Sequence, residues 1–397
     1  MRILLLNDYG TPTAGAEMVT LALRDELRRR GHEVRVLSSD AELIPGRSFA
    51  DRTCFGTTTR LQTLSSLVNP SAVRALRREL DAFRPDVVQV NMFMWQLSPA
   101  ILGALRDVPV VYYAMVYKAI CPKGSKLLPD GTACTSRAGL VCLREGCLTV
   151  AGAGPLLAQQ ALWRQNRTTF DRIVTVSEAV RDRLEAEGIE VDDVVYAACE
   201  PSRTEAVPGD VPVITFAGRL VADKGVDVLL NAFREVLDRR PKARLQIFGV
   251  GEAEADLRAL ADRLGVDGAV EWPGAVFGDA LAARVSGAWV HAVPSLWAEP
   301  FGLTTTDAMH RGTAVVATDI GGSAEIVVDG ETGALVPPGD AEALAGALSR
   351  VLGDRALAVR WGRAGRDRAE RLFSIAASVD RLEPLYRDLV SAPAVHA

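Results

Sequence analysis

Two cations on one loop of the sequence are the first residues that could carry chemistry. An apolar run at 213–217 predicts a buried strand, and Gly218 and Arg219 follow it directly. Lys224 and Gly225 come next, at the start of a predicted helix. A helix N-terminus and two cationic side chains on one loop favour a bound diphosphate. Two solvated surface cations are the alternative interpretation of the same residues.

A pair of carboxylates forms the second candidate. Glu299 lies on a predicted loop, and Asp307 lies about one turn inside the helix that follows, so that both can face one cleft. Phe301, Gly302 and Leu303 lie at the N-terminus of that helix, where backbone N–H groups lack intrahelical partners. Carboxylates that accept hydrogen bonds from sugar hydroxyls, beside amides that bind a phosphate, are typical of a nucleotide-sugar site. An acidic cap on a structural helix is the alternative.

Other nucleotide and metal motifs fail on their spacing. Gly249 and Gly251 follow a predicted strand, but Glu254 stands where a dinucleotide fingerprint needs its third glycine. The sequence has no Gly-x4-Gly-Lys-Ser/Thr run, and its histidines form no His-x3-His pair. These patterns argue against an NAD-dependent oxidoreductase, a P-loop enzyme and a metalloprotease.

Taken in order, the motifs of the second half resemble the donor half of the GT-B glycosyltransferases, in particular the retaining glycosyltransferase family four (glycosyl transferases group one). The motifs that carry this resemblance are Gly218-Arg219, Lys224-Gly225, Pro294-Ser295, Glu299-Pro300-Phe301-Gly302, Gly312-Thr313-Ala314-Val315-Val316, Gly321-Gly322-Ser323-Ala324-Glu325 and Asp329-Gly330-Glu331-Thr332-Gly333. The first half is similar to the family at Gly15-Ala16-Glu17, at Gly31-His32-Glu33-Val34 and at Val176-Ser177-Glu178.

The resemblance implies an α/β fold of GT-B architecture, with two facing Rossmann-like domains, parallel sheets and a deep interdomain cleft. It implies a metal-independent, retaining hexosyl- or other glycosyltransferase that needs no cofactor and takes a nucleoside-diphosphate sugar as co-substrate. The implied catalytic residues are Arg219, Lys224 and Glu299. The implied donor-binding residues are Gly15, Met115, Gly218, Gly274, Ala275, Val276, Phe301, Gly302, Leu303 and Asp307.

Each of these residues takes a role from the resemblance. Arg219 and Lys224 neutralise the leaving diphosphate, and Glu299 holds the sugar together with the backbone of 301–303. Asp307 holds the ribose, and residues 274–276 flank the base. The first domain binds a small-molecule or glycan acceptor, and no nucleic acid is expected as a partner.

The chain departs from the family pattern at three places. Asp307 replaces a glutamate, and Ala14-Gly15 replaces a glycine pair. Met115-Val116 stands where many members have His-Asp before a Cys-Pro, here Cys121-Pro122. The family histidine contacts the donor sugar near its C6 hydroxyl, and a thioether does not replace that hydrogen bond. Met115 and the shorter Asp307 together predict a thymidine-diphosphate 6-deoxysugar, as used in specialised metabolism such as antibiotic biosynthesis.

Three other functions stay open. The donor could be a UDP- or GDP-hexose. The chain could be a pseudo-glycosyltransferase that couples cyclitols on the same scaffold, or an inactive nucleotide-sugar-binding partner protein. The loss of the family histidine is what brings the pseudo-glycosyltransferase into consideration.

Four cysteines, Cys121, Cys134, Cys142 and Cys147, lie in one insertion of the first half. Their spacings are not the short Cys-x2-Cys pairs of a zinc ribbon. Two interpretations stay open. Either the thiols form a closed structural metal site or disulfides that hold a lid, or they are unlinked. Cys54 and Cys199 are isolated and are expected to be small buried residues.

The elements that must position these residues alternate between strand and helix. Strands are predicted at 3–6, 34–37, 86–91, 108–113, 172–176, 213–217, 244–248, 270–272 and 314–317. Helices are predicted at 17–30, 72–83, 178–187, 226–239, 252–264 and 374–390.

A polar segment with three prolines, 199–212, separates the two series. We therefore expect an acceptor domain at 1–198 and a donor domain at 207–372. We expect the segment 373–397 to cross back to the first domain, with a frayed tail at 391–397.

Composition agrees with a folded enzyme. Of 397 residues, 48% are hydrophobic and 24% are charged, and the formal charge of −5 gives no basic footprint for nucleic acid. No run is long and apolar enough to span a membrane, and the apolar start ends at Asn7, too early for a signal peptide. A cytoplasmic protein is therefore expected. Acids surround the arginines at 28–30 and 74–78, which favours a solvated surface over a membrane contact.

Overall fold

The computed structural model describes residues 1–12, 14–44, 46–198 and 205–391. The chain divides into two compact units. Unit 1 comprises Met1–Cys199 together with Ile375–Ala397, and unit 2 comprises Glu200–Ser374. The polar segment 199–212, which was predicted to separate the two domains, begins at this division, and its residues 199–204 lie outside the described part of the chain. The predicted frayed tail lies outside it too, except for Ser391.

Unit 1 is built on a seven-stranded parallel sheet with the order β3-β2-β1-β4-β5-β6-β7. Its strands are β1 (Arg2–Tyr9), β2 (Glu33–Ser39), β3 (Arg52–Cys54), β4 (Val87–Val90), β5 (Val110–Ala114), β6 (Arg172–Thr175) and β7 (Asp193–Val194). Every residue of β5 is buried, because helices cover both faces of a parallel sheet, and this strand therefore appears in the sequence as a continuous apolar run.

Helices connect these strands, and polar residues set several of their starts. The helices are α1 (Gly15–Arg29), α2 (Gln62–Ser65), α3 (Pro70–Phe83), α4 (Val141–Arg144), α5 (Val150–Gln165) and α6 (Glu178–Ala186). The Asn69 side chain accepts a hydrogen bond from the Ala72 N–H and so caps α3, whose first position is a proline. Thr149 and Ser177 cap α5 and α6 in the same way.

Unit 2 is built on a six-stranded parallel sheet with the order β10-β9-β8-β11-β12-β13. Its strands are β8 (Val213–Ala217), β9 (Arg244–Phe248), β10 (Val270–Gly274), β11 (Val290–Val293), β12 (Ala314–Thr318) and β13 (Gly333–Val336). Its helices are α7 (Val226–Arg239), α8 (Glu254–Leu264), α9 (Gly278–Val285), α10 (Leu303–His310), α11 (Ser323–Ile326), α12 (Ala341–Leu352) and α13 (Arg355–Leu372). Aliphatic and aromatic side chains from both faces of this sheet form its core.

Helix α14 (Ile375–Ser391) follows unit 2 in the sequence and belongs to unit 1. Its Tyr386 is fully buried, and the phenol donates to the Gln89 side chain on β4. Arg30 and Asp380 form an ion pair of 2.6 Å between the end of α1 and α14. The last helix thus completes the fold of the first unit.

The two parallel Rossmann-like sheets confirm the predicted fold class. The predicted strands at 213–217 and 244–248 have the observed bounds, whereas the short strands β3, β7, β11 and β13 were not predicted. Helices α2, α4, α5, α9, α11, α12 and α13 were also not predicted. In α5, Gly152, Gly154 and Pro155 weaken the helical signal, since glycine and proline disfavour helix interiors. No helix in the described ranges is both long and apolar enough to cross a membrane.

One feature of the strand order locates the ligand edge of each sheet. The order reverses between β1 and β4 in unit 1 and between β8 and β11 in unit 2. Parallel α/β sheets bind ligands outside the carboxyl ends of their strands at such switch points. Asp8 and Tyr9 end β1, and Gly218 and Arg219 follow β8. The predicted cations of unit 2 therefore lie where the topology expects a ligand.

Candidate functional site

The switch point of unit 2 brings together the three residues with a predicted catalytic role. Arg219 follows β8, Lys224 ends the short 3-10 helix Ala222–Lys224, and Glu299 lies in the loop between β11 and α10. The Lys224 ammonium is 2.9 Å from Glu299 Oε1, and both side chains are largely buried. The charge of Arg219 also acts on Glu299. These side chains therefore form one electrostatic cluster.

Ser295 links the loop of Glu299 to the loop of Lys224. Its hydroxyl donates to Glu299 Oε1 at 2.7 Å, and the same hydroxyl lies 3.4 Å from the Asp223 carbonyl oxygen. The Leu296 N–H donates to the same carbonyl oxygen at 2.9 Å. The sequence marked Pro294-Ser295 as a motif but gave this serine no role. Its contacts show that it orients the carboxylate.

Opposing effects set the protonation of Glu299. Burial acts to raise its pKa, because it removes the carboxylate from water. The charge and hydrogen bond of Lys224, the hydrogen bond of Ser295 and the charge of Arg219 act in the other direction and outweigh burial, so the pKa of Glu299 is lowered. Glu299 is therefore an ionised hydrogen-bond acceptor at neutral pH.

Trp297 is a second neighbour of the Lys224 ammonium, and the sequence gave no role to this residue either. The Lys224 nitrogen lies 5.4 Å from the centroid of the indole ring, within the range of a cation–π interaction. The signal that could have revealed it is an aromatic residue two positions before Glu299. Lys224 is thus held between an anion and an aromatic face.

Two glycines of the motifs allow the loops of this site to meet backbone to backbone. Gly225 has φ of 64°, and a Cβ atom there would lie 2.0 Å from the carbonyl oxygen of Pro294. A Cβ atom on Gly322 would lie 2.1 Å from the Phe301 carbonyl oxygen. The Gly322 N–H also donates to the Glu299 carbonyl oxygen at 2.9 Å. Any side chain at either position would push these loops apart.

The start of α10 presents its backbone at the end of the same loop. Gly302 has φ of 129° and precedes the first helical residue, Leu303. The Phe301 ring is buried and packs edge-on against Phe373, with centroids 5.8 Å apart. The first N–H groups of a helix point away from the helix and favour an anion. Residues 301–303 thus form the N-terminus of α10 at the end of the Glu299 loop, and their binding of a donor stays a prediction.

Asp307 lies one turn into α10 and is paired with Arg311. The distance from Arg311 Nη1 to Asp307 Oδ2 is 2.6 Å. Arg311 is buried, whereas Asp307 is about one-third exposed. One carboxylate oxygen of Asp307 is thus paired with a buried guanidinium, and its contact with a ribose stays a prediction.

Two family models match successive parts of the chain. The model of the glycosyl transferases group 1 matches residues 200–368, and the model of the glycosyl transferase 4-like domain matches residues 14–200. A D-inositol 3-phosphate glycosyltransferase of Corynebacterium aurimucosum is 32% identical over 325 residues, which are 79% of this chain and 74% of that protein. The chain belongs to glycosyltransferase family four.

Other relatives of the glycosyltransferase match over a shorter stretch. A phosphatidyl-myo-inositol mannosyltransferase of Mycobacterium tuberculosis is 36% identical over 197 residues, which are 48% of this chain and 50% of that protein.

Solved structures agree on the GT-B fold. Sucrose-phosphate synthase of Thermosynechococcus elongatus superposes with a TM-score of 0.74 at 22% identity and covers 99% of this chain and 100% of that chain. The Anabaena protein HepE, solved in complex with UDP and glucose, gives a TM-score of 0.69 at 18% identity and covers 98% of this chain and 99% of its own.

The remaining predicted residues of the glycosyltransferase lie on other elements of the fold. Gly274 ends β10 with φ of 75°, and Ala275 and Val276 follow it on the surface. Strand β10 is the edge strand, two places from β8. Gly15 begins α1, and Met115 follows β5 with its thioether buried. These last two residues belong to unit 1, at the carboxyl edge of its sheet.

The Gly249-Val250-Gly251 segment packs two loops of unit 2 together. A Cβ atom on Gly249 would lie 1.8 Å from the Gly218 carbonyl oxygen, and one on Gly251 would lie 2.2 Å from the Leu220 carbonyl oxygen. The glycines are therefore needed for close packing of the loop after β9 against the loop after β8. A Cβ atom on Gly218 would instead lie 3.1 Å from the Phe216 ring on β8.

The cysteines of the insertion are unlinked in the structure. All five cysteines of the described ranges are free, and Cys199 lies outside those ranges. Burial raises the pKa of Cys147, and the nearby thiols of Cys142, Cys134 and Cys121 add to the effect. Within the described residues, no group of three or more His, Cys, Asp or Glu side chains is placed to hold a metal ion.

Proposed function

We propose that this glycosyltransferase moves a sugar from a nucleoside-diphosphate sugar to a small-molecule acceptor, with retention of configuration and without a metal ion. The observation that carries the proposal is the Lys224–Glu299 pair, 2.9 Å long, with Arg219 beside it at the switch point of unit 2. A diphosphate needs cations, and a sugar needs hydrogen-bond acceptors. This cluster offers both within one loop pair.

The two cations act where charge develops. As the bond between the anomeric carbon and the diphosphate oxygen breaks, its electron pair stays on the oxygen. Lys224 and Arg219 stabilise that charge, and the contacts of Lys224 with Glu299 and Trp297 hold its ammonium in place before the reaction begins. One such preorganised contact is typically worth about 3 kcal/mol of barrier.

Glu299 holds the sugar while the acceptor attacks. Its ionised carboxylate accepts a hydrogen bond from a sugar hydroxyl, and Ser295 keeps the carboxylate oriented. The acceptor hydroxyl forms the new bond on the face that the diphosphate leaves, which preserves the configuration. Its proton passes to the departing diphosphate oxygen, so that no side chain acts as nucleophile.

Two side chains favour a thymidine-diphosphate 6-deoxysugar as the donor. Asp307 is one methylene shorter than the family glutamate and is paired with Arg311, so we expect it to hold one ribose hydroxyl, and a deoxyribose offers a single hydroxyl to it. Met115 replaces the family histidine and is 5% exposed. An unpaired buried hydroxyl costs about 1–3 kcal/mol, whereas a methyl group gains about 0.8 kcal/mol from apolar contact.

A thermal-shift panel followed by product mass tests the proposal. The full chain is heated with dTDP, UDP, GDP and no ligand, and a ligand at 100 times its Kd stabilises the fold by about 2.7 kcal/mol. We expect stabilisation by dTDP above the others, with loss of the shift in Lys224→Ala and not in the exposed control Lys242→Ala. Binding without turnover would identify an inactive nucleotide-sugar-binding protein, and a product without a glycosidic bond would identify a pseudo-glycosyltransferase.

A further inference from the structure

A buried arginine lies behind the carboxylate that is predicted to hold the ribose. Arg311 directly follows the last residue of α10, and its Nη1 lies 2.6 Å from Asp307 Oδ2. The exposed fraction is 5% for the Arg311 side chain and 38% for the Asp307 side chain. The guanidinium is thus the inner partner of the pair, and the carboxylate is the partner that a ligand can reach.

The burial of Arg311 restricts what Asp307 can do. A guanidinium stays protonated in proteins, and a buried one needs an anion beside it. Among the described residues, Asp307 is the one ion-pair partner of Arg311, and the buried Nε of Arg311 has no hydrogen-bond partner there. A rotation of the Asp307 side chain away from Arg311 would leave a buried charge unpaired. The pair therefore holds the carboxylate in one place.

The histidines near this pair do not compete for the carboxylate. His291 on β11 is buried, and burial and the charge of Arg311 lower its pKa to about 3, so it is neutral at physiological pH. His310 Nε2 lies 3.2 Å from the Phe373 carbonyl oxygen, and burial lowers the pKa of this imidazole too. Arg311 is thus the cation that holds Asp307.

The geometry points to Arg311 as a positioning residue, which holds the Asp307 carboxylate for a hydroxyl of the donor ribose. The inference rests on the proposed function and deepens it, since Arg311 acts on the donor through Asp307. A cation at a helix C-terminus, paired four residues back, also stabilises a helix. A purely structural role of that kind predicts less stable Arg311 variants with unchanged recognition of the ribose.

Matched nucleotides separate the two roles. Calorimetry on the full chain compares dTDP with 2′,3′-dideoxythymidine diphosphate, which lacks the 3′-hydroxyl, and UDP with its 2′,3′-dideoxy analogue. We expect the wild type to bind each hydroxylated nucleotide about 10-fold more tightly, because a hydrogen bond to a charged group contributes at least that much. Equal binding of both nucleotides and their analogues by the wild type overturns the inference.

Arg311→Met removes the charge and keeps most of the aliphatic chain. It should weaken the hydroxylated nucleotide about 10-fold and leave the dideoxy analogue within about 2-fold, so that the preference is lost. Arg311→Lys keeps a cation and should retain a preference of about 3-fold. A folded Arg311→Met variant with the wild-type preference contradicts the inference.

A double-mutant cycle shows whether Arg311 acts through Asp307. Asp307→Asn should also abolish the preference, and Arg311→Met added to it should weaken binding by no more than about 2-fold further. Arg234→Met is the matched control, because it removes the partner of Asp238 four residues along α7, and it should leave both affinities unchanged. Additive losses in the double variant contradict the inference.

A crystal structure of the wild type with dTDP decides the question if Arg311→Met does not fold. We expect Asp307 to contact Arg311 and the ribose 3′-hydroxyl at once. A complex in which the pair is broken, or in which the ribose does not touch Asp307, overturns the inference and leaves the proposed function in place. A chain that binds neither dTDP nor UDP overturns both.

Discussion

The two switch points are held together by different chemistry. In unit 2, Gly225 and Gly322 let the loops pack backbone to backbone, and the Ser295 hydroxyl adds a side-chain link between the loops of Lys224 and Glu299. In unit 1, the buried carboxylate of Asp8 holds the loop 95–97 through three N–H groups. The loops of unit 2 are thus packed by backbone contacts. In unit 1, a charged side chain is used to hold the backbone of a loop.

The two edges also differ in how their acids are ionised. At the edge of unit 2, the charges of Lys224 and Arg219 help to lower the pKa of Glu299, which is ionised at neutral pH. At the edge of unit 1, burial raises the pKa of Asp8 and raises that of Glu17 to about 7. In the proposed function, the edge of unit 2 binds the diphosphate.

Removal of the Lys224 cation is the strongest way to break this contrast. Lys224→Ala should lower kcat about 100-fold or more, since one preorganised contact to a leaving oxyanion is worth about 3 kcal/mol. Steady-state rates with saturating donor measure the effect, and circular dichroism checks the fold. Lys242→Ala removes an exposed lysine of the same unit and should leave kcat unchanged. Near-normal turnover in Lys224→Ala would mean that the cationic edge does not bind the diphosphate.

A methyl group at Gly322 tests whether the edge of unit 2 depends on backbone packing. Gly322→Ala should destabilise the fold by about 3 kcal/mol, at the upper end for overpacking, because the atoms that it meets are backbone. Urea denaturation measures the free energy of unfolding. Gly268→Ala is the control, since a Cβ atom there meets nothing within 4 Å. Equal stability of the two variants would show that the loops of unit 2 are not tightly packed.

Glu17 gives a pH-dependent test of the acidic edge of unit 1. Its pKa is raised from 4.5 to about 7, first by burial and then by Asp8. Between these pH values the unfolded chain loses this proton and the folded chain keeps it. The ionisation of Glu17 therefore lowers the free energy of unfolding as the pH rises.

Glu17→Gln should remove the contribution of Glu17 to the pH dependence of the free energy of unfolding. The variant should gain about 3 kcal/mol over the wild type at pH 8, relative to the difference between them at pH 4. Urea denaturation across pH 4–8 measures this, and Glu42→Gln, an exposed acid of the same edge, serves as control. A difference that is independent of pH would contradict the assigned burial.

Met115 provides the smallest effect and sharpens the choice of donor. Met115→His should shift the ratio of kcat/KM for 6-hydroxy over 6-deoxy donors about 10-fold toward the 6-hydroxy donor, because a buried hydroxyl regains a partner worth about 1–3 kcal/mol. Matched dTDP-sugars measure it. Met18→His, at an exposed position of unit 1, should leave the ratio unchanged. A wild-type preference for the 6-hydroxy donor that persists in Met115→His would contradict the 6-deoxysugar assignment.

Much of the fold could be predicted because parallel strands leave clear apolar runs. The runs at 213–217 and 244–248 gave β8 and β9 with their observed bounds. Short edge strands such as Arg52–Cys54 leave no such run, since one side of each is solvated and few residues are involved. The positions of these short strands are set by pairing with the neighbouring strand, and their own residues do not indicate them.

The site could be predicted only where a motif marks it. Arg219, Lys224 and Glu299 are recognisable from their spacing along the chain. Ser295 and Trp297 act through contacts with Lys224 and Glu299, and no local pattern specifies those contacts. In unit 1, the three partners of Asp8 lie far along the chain, in the loop 95–97. Contacts over such a separation leave no local sequence motif that could have identified Asp8.

The position of α14 has a consequence for the order in which the protein is made. Unit 2 is one continuous segment, so it can fold as it leaves the ribosome. Unit 1 is synthesised mostly before unit 2, yet it lacks α14 until unit 2 has been translated. During that interval the surface around Gln89 that Tyr386 later covers stays open to solvent. Nascent chains stalled within unit 2 should therefore hold an incomplete first unit, and chaperones that bind exposed apolar strands would meet the protein at this stage.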